Sequence, residues 1–316
     1  MQRRYYWIDI SKAVLIYLVV VAHSGHISPI TDTLICGFHM PAFFIISGML
    51  TSFSGSVKET VIKSYRRLIV PALFFTAICY LIFLSRHLLR GDYDSYACIL
   101  KPLLGLVIYD RSIASPVCGV IWFLVVLFGA KVLMEYLNTF LRKHLVISVL
   151  LILDIVLLYG MDSDFGVFYY VKRLMVALPF LYIGYYLRPY LLRNYSPLKA
   201  VLGGVILLLI YVPLCIWNGR VGIHSFVFGH DMVMYYLIAI VGSFSLFLIT
   251  MPYSGSFAII EYIAKNTITI LCLHRIVLGY TKFIHDGFLQ ALICVMVLLP
   301  VIYVLNRFCP NLIGNK

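Results

Sequence analysis

Residues 7–24, WIDISKAVLIYLVVVAHS, are predicted to form an apolar helix that carries an acidic residue, a lysine and a histidine. Lys12 and His23 are eleven positions apart, and the residues between them hold no polar group except the Tyr17 hydroxyl. Eleven steps of about 100° come to about three full turns, so both side chains share a face with roughly 16 Å of rise between them. Asp9 lies close to that face. Ionisable groups within a membrane span are costly, so this line predicts a functional site.

The composition of the whole chain predicts an integral membrane protein. Of 316 residues, 62% are hydrophobic and 12% are charged, whereas soluble domains carry about 25% charged residues. We expect an all-α polytopic fold, with about ten transmembrane helices in one bundle and residues 1–316 forming a single domain. Ten stretches are long enough to cross a bilayer: 8–24, 32–51, 67–86, 119–138, 145–160, 171–187, 199–217, 231–250, 257–279 and 286–305. An eleventh, short apolar segment at 97–109 is broken by Pro102 and is expected to be interfacial or re-entrant, with an eleventh span as the alternative.

The distribution of basic residues predicts the orientation of the chain. Arginines and lysines cluster before the first predicted span and after the second, fourth and sixth spans. Under the positive-inside rule these segments are cytoplasmic, which puts both termini in the cytoplasm and His23 toward the outer half of a cell (inner) membrane. Lys172 and Arg173, at the outer end of the sixth span, depart from the rule.

The net charge of +12 reflects this inner bias and indicates attraction to anionic membrane lipids. Nucleic acid is excluded as a partner, because no basic groove is interleaved with base-stacking aromatic residues. No CxxC motif or Cys/His cluster predicts a metal site.

Five segments resemble, in order, motifs of the membrane acyltransferase 3 family, within it the branch of fucose 4-O-acetylase-like proteins. They are WIDISKAVLIYLVVVAHS at 7–24, FHMPAFFIISGML at 38–50, YRRLIVPALFF at 65–75, VIWFLVVLF at 120–128 and KNTITILCLH at 265–274. The resemblance covers most of the chain. In the first segment Lys12 stands where the family more often has arginine, so a bidentate role there is in doubt.

The resemblance implies a membrane-bound O-acyltransferase. Such an enzyme takes an acyl group, most often acetyl, from cytoplasmic acyl-CoA and places it on a hydroxyl of a glycan or lipid-linked saccharide. The expected co-substrate is therefore acetyl-CoA without a metal, and the expected role is polysaccharide modification in the cell envelope. The acceptor, the exact acyl group, the oligomeric state and the existence of a covalent acyl-enzyme stay open.

The chemistry of acyl transfer assigns roles to the polar residues of the first span. A sugar hydroxyl is a poor nucleophile at neutral pH, and histidine is the side chain best suited to remove its proton. His23 is therefore the predicted general base. Asp9 lies roughly 21 Å of rise from His23, too far to orient its ring, and is expected to pair with Lys12. His274 is implied by the resemblance to face the site, and we expect both histidines to line one polar cavity.

Donor binding is expected at the inner side of the second and third spans. Lys63, Arg66 and Arg67 can hold the phosphates of CoA, although the positive-inside rule alone also accounts for these charges. Ser47 precedes a glycine that lets a ligand or a helix approach closely, and Trp122 could stack on a sugar or on adenine.

Two other classes of protein compete with the enzyme. A transporter or flippase of a lipid-linked or small substrate would also use charges within the membrane, but such proteins often carry inverted repeats and broken helix pairs. A non-catalytic scaffold gives the Lys12–His23 line no purpose.

Overall fold

The computed structural model describes residues 4–53, 55–91, 99–105, 118–141, 143–161, 168–193 and 196–314. The protein is 81% helical, which confirms the all-α prediction. The helices are α1 Tyr6–Ser24, α2 Pro29–Cys36, α3 His39–Leu50, α4 Val57–Ser64, α5 Val70–Leu89, α6 Lys101–Leu104, α7 Trp122–Leu141, α8 His144–Tyr159, α9 Tyr169–Leu191, α10 Pro197–Asn218, α11 Met232–Thr250, α12 Ala258–Lys265, α13 Thr267–Tyr280 and α14 Gly287–Phe308. A π-helical turn, Tyr65–Ile69, joins α4 to α5, and 3₁₀ turns form at Gly119–Ile121 and Ile223–Ser225. A two-stranded antiparallel hairpin, β1 Val221–Gly222 and β2 Val227–Phe228, follows α10.

The boundary between α1 and α2 shows how local chemistry fixes helix ends. Gly25 ends α1 with a positive φ of 77°, a conformation that glycine adopts without steric cost. The Ser28 hydroxyl then accepts a hydrogen bond from the Thr31 amide, and Pro29 occupies the first helical position of α2. Both features are typical of a helix start.

Seven helical segments of the described residues are long and apolar enough to cross a membrane. They are Tyr6–Ser24, Pro29–Leu50, Val57–Leu89, Gly119–Leu141, Pro197–Asn218, Met232–Thr250 and Gly287–Phe308. The protein is therefore a polytopic membrane protein, but the predicted count of ten spans is not confirmed. Two of the ten predicted stretches form shorter apolar helices, His144–Tyr159 and Thr267–Tyr280.

Two spans predicted as continuous are interrupted. The second, predicted over 32–51, breaks at Gly37 and Phe38, between α2 and α3. A Cβ atom on Gly37 would lie 2.6 Å from the Tyr211 hydroxyl, so only glycine fits against α10 there. The ninth, predicted over 257–279, breaks at Asn266, between α12 and α13.

The described residues divide into two compact units. The first comprises Met1–Ser52 and Leu178–Tyr303, and the second comprises Phe53–Ala177 and Val304–Lys316. In the first unit α1 packs against α2, α3, α11, α12 and α13. The first helix is therefore surrounded by protein on several sides, and polar residues along it have neighbours from five other helices.

The second unit is organised around α7. This helix packs against α4, the π-helical turn and α8. Glu135 of α7 is fully buried, and its carboxylate accepts hydrogen bonds from the Gly55 amide (2.7 Å) and the Thr60 hydroxyl (2.9 Å). The carboxylate thus fastens the segment that leads into α4 onto α7.

Candidate active site

Two histidines meet in the first unit. His23 lies in the last turn of α1, and His274 lies in the middle of α13. The centroids of their rings are 4.9 Å apart, in an edge arrangement with 61° between the ring planes. The structure thus brings together the two residues that the sequence placed in one site, while their roles and a shared polar cavity stay predictions.

Both rings are oriented by the same kind of hydrogen bond. Nδ1 of His23 lies 2.8 Å from the Val19 carbonyl oxygen, and Nδ1 of His274 lies 2.6 Å from the Leu271 carbonyl oxygen. A carbonyl oxygen only accepts, so each Nδ1 carries the hydrogen. In the neutral form of either ring, the lone pair is therefore on Nε2, which is the tautomer that a general base requires.

The two Nε2 atoms differ in their surroundings. His23, at the end of α1, is an exposed residue. His274 is fully buried, and among the described residues its Nε2 has no hydrogen-bond partner. One ring of the pair can exchange a proton with a ligand, and the other is held inside the protein beside it.

A third histidine lies on a helix that contacts α1. His39, at the start of α3, is buried, and its Nδ1 lies 2.7 Å from the Ile35 carbonyl oxygen. α3, which begins at His39, packs against α1, which carries His23. His39 was not among the predicted site residues, although its place only 16 positions beyond His23 was a usable signal.

Another pair of histidines lies just beyond α1. The rings of His26 and His285 are 5.3 Å apart in an edge arrangement. The Gly287 amide donates to the His26 carbonyl oxygen, which joins the loop after α1 to the start of α14. His285 is exposed, and this pair is separate from the His23–His274 contact.

At the other end of α1, Asp9 pairs with an arginine. Its carboxylate accepts from Arg4 Nε at 2.8 Å, and Arg4 Nη1 lies 2.6 Å from Glu261 of α12. The expected pairing of Asp9 with Lys12 stays a prediction. The hydrogen bond to Asp9 raises the pKa of the Arg4 guanidinium above its ordinary value.

Lys12 itself is half-buried in α1, between Asp9 and His23. The negative charge of Asp9 attracts the positive charge of Lys12, and the positive charge of Arg4 repels it. The neighbouring Ser11 is fully buried and shares a 2.8 Å hydrogen bond with Thr250 of α11. The catalytic role expected for Lys12 and Asp9 stays a prediction.

The expected donor residues Lys63, Arg66 and Arg67 lie in the second unit. All three side chains are exposed, on the last turn of α4 and on the π-helical turn. Trp122, at the start of α7, is only 7% exposed, which leaves little of its ring for stacking on a ligand. None of these positions is tested as a binding residue by the geometry alone.

The glycine after Ser47 serves helix packing. A Cβ atom on Gly48 would lie 2.0 Å from the Leu181 carbonyl oxygen of α9. Of the two alternatives for this glycine, a ligand or a helix, the structure thus shows a helix in close approach. Ser47 is half-buried, and its expected role in binding stays a prediction.

Comparison with known proteins identifies the class of protein and then its family. The fold defines an all-α polytopic membrane protein. The model of the acyltransferase 3 family, described as an acyltransferase domain, matches residues 5–307, so the chain belongs to that family and is a membrane acyltransferase. The fucose 4-O-acetylase-like branch is not confirmed. No curated protein and no solved structure matches the chain.

Proposed function

We propose that this membrane acyltransferase is an O-acetyltransferase that moves an acetyl group from cytoplasmic acetyl-CoA to a hydroxyl of a glycan or lipid-linked saccharide. The observation that carries the proposal is the His23–His274 pair, with ring centroids 4.9 Å apart and both Nδ1 atoms bonded to backbone carbonyls. Family membership supplies the reaction class, and the pair supplies a base in the tautomer that the reaction needs.

In the proposed reaction, Nε2 of His23 removes the proton of the acceptor hydroxyl. The hydroxyl oxygen attacks the carbonyl carbon of the acetyl thioester and forms a new C–O bond. The C–S bond then breaks, and the CoA thiolate leaves with the proton that His23 had taken. The products are an acetyl ester and free CoA, and general-base catalysis of this kind contributes typically 10² to 10⁴ in rate.

His274 is proposed as a positioning residue. Its ring lies edge-on to His23 and is itself fixed by the Leu271 carbonyl oxygen. Asp9 is proposed to hold the first turns of α1 through the Arg4–Glu261 contacts. Lys12 is proposed to supply positive charge on the face of α1 that also carries His23.

The donor is proposed to bind through its phosphates to Lys63, Arg66 and Arg67. Because acetyl-CoA is soluble and cytoplasmic, this proposal requires those basic residues on the cytoplasmic side. It thereby places both termini in the cytoplasm and the protein in the cell inner membrane, consistent with the positive-inside rule. The acceptor saccharide is then modified at or beyond the outer side, near His23.

The test is transfer of labelled acetyl from acetyl-CoA to candidate glycans by purified protein in membranes. His23→Ala is expected to lower the transfer rate at least 10²-fold, since one base is lost. His285→Ala is the matched control, because it removes an exposed histidine outside the His23–His274 contact. His23→Ala protein with undiminished turnover would contradict the base assignment, and glycan movement without label transfer would favour a transporter.

A further inference from the structure

One more cation, Lys131, lies on a helix that packs against the basic segment linking α4 to α5. Lys131 lies in α7, about one helical turn before Glu135, and is half-buried. Glu135 accepts from the Thr60 hydroxyl of α4, and both α4 and the π-helical turn pack against α7. On α7, Lys131 lies about one turn before Glu135, and on α4, Lys63 lies about one turn after Thr60. Because Glu135 and Thr60 are hydrogen-bonded to each other, these two steps bring Lys131 level with Lys63.

The electrostatics agree with this alignment. The charges of Arg67 and Lys63 both act on Lys131 and oppose its own positive charge. Within the described part of the chain, no carboxylate lies within salt-bridge distance of Lys63, Arg67 or Lys131. Glu135 is the nearest acidic residue along α7, but its oxygens are taken by the Gly55 amide and the Thr60 hydroxyl. Among the described residues, these three cations therefore have no carboxylate at salt-bridge distance.

The backbone of this region is built in an unusual way. The Val70 amide donates to the Tyr65 carbonyl oxygen, five residues earlier, and Pro71 has no N–H to offer the Arg67 carbonyl. π-Helical turns are rare and are frequently found at functional sites. Here the turn carries Arg66 and Arg67 at the end of α4, and both α4 and the turn pack against α7.

We propose that Lys131 is the third cation of a phosphate-binding site that it forms with Lys63 and Arg67. The ligand is a phosphate ester, since three cations from two helices match a dianionic group that accepts several charge-assisted hydrogen bonds. Resting on the proposed function, we assign the ligand to the nucleotide portion of the acyl donor. A phospholipid headgroup has the same chemistry and is separated from it by the experiment.

The experiment measures the binding of coenzyme A to the full-length protein in nanodiscs of zwitterionic phosphatidylcholine. Lys131→Gln is expected to weaken coenzyme A binding about tenfold or more, because a charge-assisted hydrogen bond is lost. Lys131→Arg should keep most of the affinity. Lys199→Gln is the matched control, since it removes the same charge from an exposed position at the start of α10. Added salt should narrow the difference between wild type and Lys131→Gln.

A second arm uses nanodiscs that contain phosphatidylglycerol, with retained lipid measured by native mass spectrometry. Loss of coenzyme A affinity in Lys131→Gln alone supports the site and its nucleotide ligand. Unchanged coenzyme A affinity with loss of retained phosphatidylglycerol supports the phosphate site and overturns the nucleotide assignment. If Lys131→Gln changes neither coenzyme A affinity nor retained phosphatidylglycerol, the proposed phosphate site is refuted, even where acetyl transfer is intact. Absence of coenzyme A binding by the wild type would instead count against the proposed function.

Discussion

The crossing of α3 and α9 predicts a large penalty for one added methyl group. A Cβ atom on Gly184 would lie 1.9 Å from the Ile45 carbonyl oxygen, and one on Gly48 would lie 2.0 Å from the Leu181 carbonyl oxygen. Ordinary contacts of a Cβ atom begin near 3.4 Å, so Gly184→Ala requires the two backbones to separate by about 1.5 Å. Small residues commonly permit such close helix approach in membranes.

The obstacle at Gly184 is backbone rather than a flexible side chain, so we expect a loss near the upper end of overpacking costs, about 3 kcal/mol. For a protein of this size that corresponds to a fall of about 4–5 °C in Tm. The measurement is thermal unfolding of purified protein in detergent, followed by far-ultraviolet circular dichroism. Gly279→Ala is the matched control, because a Cβ atom there meets nothing within 4 Å, and it should be neutral or stabilising by about 0.4–1 kcal/mol. Equal Tm values for Gly184→Ala and wild type would refute the reasoning.

Three further outcomes are expected. Lys12→Met should reduce acetyl transfer whereas Lys12→Arg should retain it, and equal activity of Met and Lys variants in the labelled-acetyl assay would deny the charge a role. Glu135→Ala should lower the free energy of unfolding by about 2–3 kcal/mol, because it removes two hydrogen bonds to a buried carboxylate, while Glu135→Gln, which keeps one acceptor, should cost less in the same melting experiment. Arg4→Gln and Glu261→Gln should each cost less than about 1 kcal/mol, since Arg4 is 37% exposed, and a double-mutant cycle should show non-additivity, whose absence would mean that the two residues do not interact.

Periodicity along the first span predicted one helix that carries both Lys12 and His23. Lys12 and His23 lie on one helix, Tyr6–Ser24, close to the predicted 8–24. Predicting that His23 and His274 lie close together required a different kind of information, the order of family motifs along the chain. Spacing within one helix fixes which residues share a face, but it does not say which other helix covers that face.

The breaks within spans could not be predicted from composition. Gly37 and Asn266 both lie within long apolar runs, and hydropathy does not distinguish one long helix from two short ones. Next to the break at Gly37, the Tyr211 hydroxyl donates to the Leu34 carbonyl oxygen from a helix far along the sequence. Tertiary contacts of this kind are not encoded in the local pattern.

Two charged residues of the fourth span were overlooked although the sequence contained the signal. Lys131 and Glu135 lie within an otherwise apolar helix, as Lys12 does in the first. The rule that marked Lys12, that charges inside a span are costly and seldom idle, applies to them equally. Lys172 and Arg173, which departed from the positive-inside rule, are buried in the structure. That rule counts residues in short loops, so side chains within the protein do not follow it.

The Glu135 carboxylate is synthesised well after the groups that it binds. Its partners, the Gly55 amide and the Thr60 hydroxyl, precede it by 80 and 75 residues. At translation rates of about 5–20 residues per second, the segment around Gly55 emerges about 4 to 16 s before the carboxylate that will fasten it. During biogenesis this segment must therefore wait at the membrane surface, with its polar groups satisfied by water or by a chaperone, until α7 has been delivered.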